Sequence, residues 1–300
     1  QCPSPQPHRA FGIKLHSIIK KIVHQYTVIC RFSLRRDKLM KMKILVTNDD
    51  GIHADGLWLL VKELKHIAPV VVVAPDRERS ATGTAVTLHQ TLRVQQVPSP
   101  EPGVDAYSVS GMPSDCVILA LGKLVKGKVN LVVSGINPGK NLGDDALISG
   151  TVGAALQGYL HGSSALAISC DRTISPGHLD TAAKLAAMLS RKILSDSLPH
   201  HIFLSVNLPD LPIEQIKGIQ VTRLAHKCHI NTVAEGEDEN GKYYRLDRQR
   251  IPKSNDRRTD AWAVEQGYIS ITPLFAHLYS RPSSTILKNL SIEFMKKLNE

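Results

Sequence analysis

Several familiar patterns are missing from this 300-residue chain, and each absence removes a class of protein. The five cysteines, Cys2, Cys30, Cys116, Cys170 and Cys228, are scattered and form no CxxC pair. That excludes a zinc knuckle and a secreted disulfide framework, and points to reduced thiols in a cytoplasmic protein. No stretch reaches the ~18 consecutive apolar residues of a membrane span. A P-loop of the form GxxxxGK(S/T) is absent: the interval from Gly135 to Lys140 is one residue short, and Asn141 stands where the hydroxyl should be. No GxGxxG follows the first apolar run, and there is neither an HExxH zinc motif nor a GxSxG elbow.

Acidic residues are scarce in one region only. The chain carries 37 Lys and Arg against 27 Asp and Glu, a formal net charge of +10. Residues 1–43 hold ten of the basic side chains and a single acid, Asp37. Nine of the ten net charges therefore lie within these first 43 residues, and the rest of the chain is almost neutral. The basic balance would otherwise suggest an acidic partner. Within the leader, Ile18, Ile19, Ile22 and Val23 recur at helical spacing beside lysines, as in a targeting or membrane-surface segment. The competing expectation is sequence upstream of a true start at Met42, where regular patterning sets in. The leader also lacks the aromatic interleaving of a nucleic-acid stacking surface. We expect residues 1–41 to be a basic extension, disordered or foreign to the native protein.

From Met42 onward the composition is that of a globular chain, 42% hydrophobic and 21% charged overall. Ile44–Thr47, Val70–Ala74, Leu131–Gly135, Ala165–Ser169 and Phe203–Asn207 are short apolar runs of the kind buried on both faces of a parallel sheet. Between them lie amphipathic stretches, 54–67 with Leu57, Leu60, Val61 and Leu64 on one face, 113–125, a helix starting at Ser149-Gly150-Thr151, and 178–194. Strands alternating with helices predict an α/β fold around a mostly parallel sheet. Past Pro209 the pattern changes. Strand-like Ile219–Leu224 and Tyr243–Leu246 flank a polar stretch containing Asn240-Gly241, so a hairpin-like arm is expected. A strand over 268–273 and a terminal helix near 284–298 complete the pass.

In an open parallel sheet, ligands bind at the carboxyl ends of the strands, and three loops there carry unusual residues. Asn48-Asp49-Asp50-Gly51 places two carboxylates side by side, which repel unless a cation or donor compensates them. Oxygen ligands suit Mg²⁺ or Mn²⁺. Taken alone, the segment fits an Asp-Asp-Gly turn better than a metal site. The second loop, Arg77 to Thr84, offers the hydroxyls of Ser80, Thr82 and Thr84, two arginines, and Gly83 for close backbone approach. The third, Ser134 to Gly143, offers the amide carbonyl of Asn137 and leads to the Ser149-Gly150-Thr151 helix start, whose amides and dipole end suit phosphate. Ordinary capping by Ser149 explains that start equally well. Asp144-Asp145 is a second acidic pair, expected to be solvated or to cap the following helix, with a place near the cation as the alternative. His53, His66, His89 and His161 are isolated and are not expected to be ligands.

Carboxylates, a carbonyl and hydroxyls around one cation, beside an amide-rich helix end, suit phosphate-ester hydrolysis. A phospho-aspartate enzyme would want Asp-x-Asp rather than adjacent aspartates. A metal-dependent amide hydrolase is a further alternative, but its His-Pro-Asp-Asp signature is absent. A nucleotide- or RNA-binding Rossmann-like protein without turnover is the alternative of a different class.

The same loops resemble the SurE family of survival-protein nucleotidases. The matching segments are Ile44–Ile52 (ILVTNDDGI), Ala74–Gly83 (APDRERSATG), Ser110–Val117 (SGMPSDCV), Val133–Gly143 (VSGINPGKNLG), Ser149–Ala155 (SGTVGAA) and Gly267–Pro273 (GYISITP). The similarity runs in order through 42–275. It implies a metal-dependent 5′/3′-nucleotidase with one divalent metal ion per subunit, Mg²⁺ or Mn²⁺. The metal would be held by Asp49, Asp50, Ser80 and Asn137, with Asp49 and Asp50 catalytic. Phosphate or substrate contacts are implied at Asn48, Gly83, Asn141, Ser149, Gly150 and Thr151. The implied fold is a Rossmann-like three-layer α/β/α core, here 42–210, with a C-terminal β-hairpin and helix arm over 211–300 used in oligomerisation. A nucleoside monophosphate substrate and a homodimer or homotetramer follow from the resemblance, with no membrane and no stable nucleic-acid complex. Met112 and Ile148 depart from the family pattern, Met112 from a small hydroxyl residue and Ile148 from an aromatic or histidine.

Overall fold

The computed structural model describes residues 39, 41–171, 177–195, 197–199, 201–226, 228–250, 256–276 and 290. The basic leader and the terminal helix expected near 284–298 lie almost wholly outside these residues.

The apolar runs form the strands they predict. They are β1 (Ile44–Thr47), β2 (Val70–Pro75), β5 (Leu131–Pro138), β6 (Ser164–Cys170) and β7 (Phe203–Leu208). β1 and β6 are buried along their whole length, as expected of strands covered on both faces. Two shorter strands, β3 (Val94–Val97) and β4 (Asp105–Val109), extend one side of the sheet, and β8 (Ile219–Val221) and β11 (Ile269–Leu274) extend the other. These nine described strands lie in the order β3-β4-β2-β1-β5-β6-β7-β11-β8. β2 and β5 both run parallel to β1, one on each side. The strand order therefore reverses at β1, the place where a doubly wound sheet opens a crevice.

Helices cover both faces, giving three layers. The helix α1 (Asp55–Leu64) buries Leu57, Leu60, Val61 and Leu64. It packs against α5 (Gly177–Leu194) on one face, over a core that includes Ile44, Val46, Val133 and Leu166. On the other face α2 (Pro113–Leu119) packs against α4 (Gly150–Leu160). Below them Leu45, Val73, Cys116 and Val132 are buried together. Proline at the first position of α2 costs nothing, because that N–H has no partner inside the helix. Asp115 in the first turn accepts from Met112 N at 2.8 Å and from Thr87 N at 2.9 Å.

The arm differs from the expectation in its bounds. Ile219–Val221 does not open the hairpin. It joins the core sheet as β8, parallel to β11, and β11 pairs antiparallel with β7. Three residues of apolar alternation had nothing local to say which partner they would take. The hairpin is β9 (His229–Asp238) with β10 (Gly241–Arg250), and Asp238 pairs with Gly241. Glu239-Asn240 therefore forms its tip, with Gly241 at φ +104° just after it. A short α6 (Asp260–Glu265) precedes β11.

Candidate active site

The three loops do converge. Asp49 follows β1, Ser80 follows β2 and Asn137 lies near the end of β5, and all three line one cavity of about 280 Å³ at the switch point. Asn141, Ser149, Lys140, Asp145, Ile148, His229 and Arg248 line it as well. Asp50 is half-buried next to Asp49, outside the lining. Gly83, Gly150 and Thr151 are not among its lining residues. Asn48 has a different place from the one expected. It is fully buried, its Nδ2 donates to Gly51 O at 2.9 Å, and its Oδ1 accepts from Gly51 N at 3.2 Å. It closes the turn that aims the two aspartates.

Asp49 is the most constrained residue of the site, only 5% exposed. Its carbonyl accepts from Arg79 N at 2.7 Å, which fastens the second loop to the first. Its Oδ1 accepts from the hydroxyl of Thr151 in α4. Burial pushes its carboxyl above the ordinary carboxylate range, more than the Thr151 hydrogen bond pulls it down. The helix start approaches very closely: a Cβ on Gly150 would stand 2.8 Å from Asp49 Cβ, and one on Gly153 only 2.0 Å from Gly83 O. No side chain fits at either position, so both glycines are required for α4 to sit against the two loops.

Ser149 caps α4 by accepting from Val152 N at 3.2 Å. Between Asp144 and Ser149 runs a one-turn helix, α3 (Asp145–Ile148), so Ser149 N donates to Asp145 O at 3.0 Å. The third loop is pinned from the far side of the sheet. Asn207 on β7 accepts from Asn141 N at 2.8 Å, and Asn141 Nδ2 donates to Ser169 Oγ at 2.8 Å. Asp260, at the start of α6, is completely buried and accepts from the backbone N–H of Gly143, Ala225 and Ala261, each at 2.8 Å.

The donor set fits a hard divalent cation. Asn137 Nδ2 is spent on Gly139 O at 2.6 Å, which leaves Oδ1 as the free end of that amide. Ser80 Oγ donates to Glu78 Oε1 at 2.6 Å and keeps its lone pairs. The raised Asp49 carboxyl needs a positive charge to be ionised comfortably. Among the described residues no three His, Cys, Asp or Glu side chains converge on a metal position. A cation here would therefore complete its shell with neutral oxygens, as hard divalent ions do.

Two expectations about charge are corrected. Arg77 and Arg79 do not line the cavity: Arg79 Nη2 is held by Asp76 Oδ1 at 3.3 Å and Ser110 O at 3.2 Å. The cavity's cations are Lys140, ion-paired with Asp171, and Arg248. Asp145 is neither solvated nor spent on capping. It receives His229 and Arg248 from the hairpin. His229 and Arg248 carry no local motif, and only the packing of β9 and β10 brings them to the site. Ile148 lines the cavity and Met112 does not.

The fold and the cavity define a Rossmann-like α/β protein with an oxygen-rich strand-end site against a helix start. The family model described as "Survival protein SurE" matches residues 44–231, and the chain belongs to the SurE family. Its relative "5'-nucleotidase SurE" of Dehalococcoides mccartyi is 53% identical over 246 residues, covering 82% of this chain and 93% of the relative. The protein of the same name from Haemophilus influenzae is 42% identical over 257 residues, 85% of this chain and all of the relative. Among solved structures, the SurE protein from Aquifex aeolicus superposes with a TM-score of 0.70 at 33% identity, covering 83% of this chain and 99% of that one.

Proposed function

We propose that this chain is a divalent-metal-dependent phosphomonoesterase that hydrolyses nucleoside 5′- and 3′-monophosphates to nucleoside and phosphate. The observation that carries the reading is that Asp49, Ser80, Asn137 and Ser149, from four separate segments, line one cavity. The printed names of the relatives, "5'-nucleotidase SurE", support the same activity. Asp49, Asp50, Ser80 and Asn137 would hold one cation. When bound, it supplies Lewis acidity toward the phosphate and lowers the pKa of water.

The chain's own residues supply the rest. Thr151 fixes the rotamer of Asp49, and Asp50 would orient the attacking water and accept its proton. Ser149 and the first turn of α4, with Gly83, Gly150 and Asn141 around them, would hold the phosphate oxygens as charge redistributes between attacking and leaving groups. Water forms the new P–O bond, the P–O bond to the nucleoside breaks, and the leaving oxygen takes up a proton. No covalent phospho-enzyme forms. The alternative of nucleotide or RNA binding without turnover leaned on the basic leader and the Rossmann-like pattern, and gains nothing from the relatives.

Residues 42–300 would make the working unit, as a homodimer or homotetramer assembled through the arm. In support, Val233, Tyr244 and Leu246 on the hairpin are more than three-fifths exposed, and a lone two-stranded hairpin is marginal in water. The scattered cysteines, with Cys116 and Cys170 buried and reduced, support a cytoplasmic location. No described helix is long and apolar enough to cross a membrane.

The deciding measurement is phosphate release from AMP, GMP and a chromogenic phosphate ester, after EDTA and then with Mn²⁺ or Mg²⁺ restored. Release should stop on stripping and return with the metal. Asp50→Asn should abolish it without unfolding the protein. Equal hydrolysis by stripped and loaded protein would refute the metal, and a trapped phospho-aspartate would refute the mechanism.

A further inference from the structure

The hairpin strands form a two-stranded sheet apart from the core sheet, yet two of its residues line the active-site cavity. His229 opens β9 and Arg248 lies near the end of β10. In the ladder His229 pairs with Arg250 and Asn231 with Arg248, so His229 and Arg248 share one face of the ribbon. Both reach Asp145. His229 Nδ1 lies 2.7 Å from Oδ2, and Arg248 Nη2 donates to Oδ1. Next to them Asp144 Oδ1 accepts from Cys228 N at 2.7 Å, so the acidic pair clasps the base of the hairpin.

Each oxygen of Asp145 lies against a basic group of the arm, so the carboxylate holds Arg248 at the cavity wall. The clasp is poor value as a stabiliser, because burial pushes the Asp145 carboxyl up more than His229 and Arg248 pull it down. Arg248 has five N–H donors and gives one to Asp145. Asp145 stands one helical turn before Ser149, joined to it by the Ser149 N–H to Asp145 carbonyl bond of 3.0 Å. One turn is about 5.4 Å, so the guanidinium is held near the end of α4 that faces Asp49. Arginine's planar fork matches phosphate oxygens in a way a point charge does not.

We propose that Arg248 is a substrate-binding residue that contacts the phosphate group, and that Asp145 is the positioning residue that presents it, so that the hairpin completes the active site. This rests on the phosphomonoesterase reading above. It goes further by assigning the phosphate a ligand from the arm.

The test compares Arg248→Gln, Arg248→Lys and Asp145→Asn in the full chain with Mn²⁺. Steady-state kinetics on AMP and on p-nitrophenyl phosphate are combined with inhibition by inorganic phosphate and by adenosine. Arg248→Gln should raise KM for both esters and Ki for phosphate tenfold or more, with Ki for adenosine within twofold. Arg248→Lys should recover part of that loss, and Asp145→Asn should show a smaller rise in the same constants with an unchanged Mn²⁺ activation curve. Unchanged KM and phosphate Ki in Arg248→Gln would overturn the proposal. So would a rise in adenosine Ki alone, which would place Arg248 against the nucleoside. Calorimetric binding of inorganic phosphate to Mn²⁺-loaded protein, wild type against Arg248→Gln, reads the same contact without turnover. It therefore separates failure of this assignment from failure of the hydrolase reading.

Discussion

The hydroxyl of Thr151 donates to Oδ1 of Asp49, joining two residues 102 positions apart in the chain. One follows the first strand of the sheet and the other lies in the first turn of α4, and both are buried. The bond makes a single unit of the carboxylate that would hold the metal and the helix end that would hold the phosphate. Thr151→Val keeps the shape and removes the donor, leaving a buried carboxylate with less to favour its ionised form. Metal affinity or activity should fall by about 10- to 100-fold, the usual loss for a residue that orients a ligand. Stability should change by only about 1–2 kcal/mol. A Mn²⁺ activation curve and a thermal melt on the same preparation check both; wild-type activation would remove Thr151 from the machinery.

Gly150 tests how tightly the helix end and the aspartate are fitted. A methyl group there would meet Asp49 Cβ at 2.8 Å and Asp49 Oδ2 at 2.9 Å. Gly150→Ala must therefore push α4 or β1 aside, at a cost of about 1–3 kcal/mol. Phosphate release should drop far more steeply than the melting temperature. Full activity in the variant would mean that α4 and Asp49 are not held in register.

Asp260 makes a prediction about pH. Burial pushes its carboxyl above the ordinary carboxylate range, outweighing the three backbone N–H groups it accepts from. A raised folded-state pKa means that the folded protein holds this proton more tightly than the unfolded chain does. Its contribution to stability is thus fullest below about pH 4 and is lost as pH rises through the raised value. Asp260→Asn cannot ionise, so the stability of wild type relative to this variant should shrink as pH rises over that interval. Urea unfolding across a pH series measures it, and parallel curves would contradict it.

The leader offers the last prediction. Residues 1–43 carry nine of the ten net positive charges, while the cavity draws its residues from 49 onward. A chain lacking residues 1–41 should retain its kcat and KM for AMP within about twofold, below the ~1 kcal/mol that marks a lost contact. Loss of activity on deletion would make the leader part of the enzyme.

Much of this protein is legible in its sequence. Fully buried strands need continuous apolar runs, so Ile44–Thr47, Val70–Ala74 and Ala165–Ser169 announce themselves, and loops after such strands gather on one edge by topology. That Asp49, Asp50, Ser80, Asn137 and Ser149 fall on loops at that edge follows from this pattern, whereas their roles as ligands came from the resemblance to the SurE family. What only the tertiary structure decided depends on pairings between distant segments. Asn48 turned inward because its own backbone turn consumed its amide. Ile219–Val221 joined the core sheet because β11 offered an edge. Asp145, His229 and Arg248 met because a hairpin folded back across more than eighty residues of chain. Local periodicity records which face of an element is buried. It holds no record of which element will lie against that face, because that choice is made by the packing of the whole molecule.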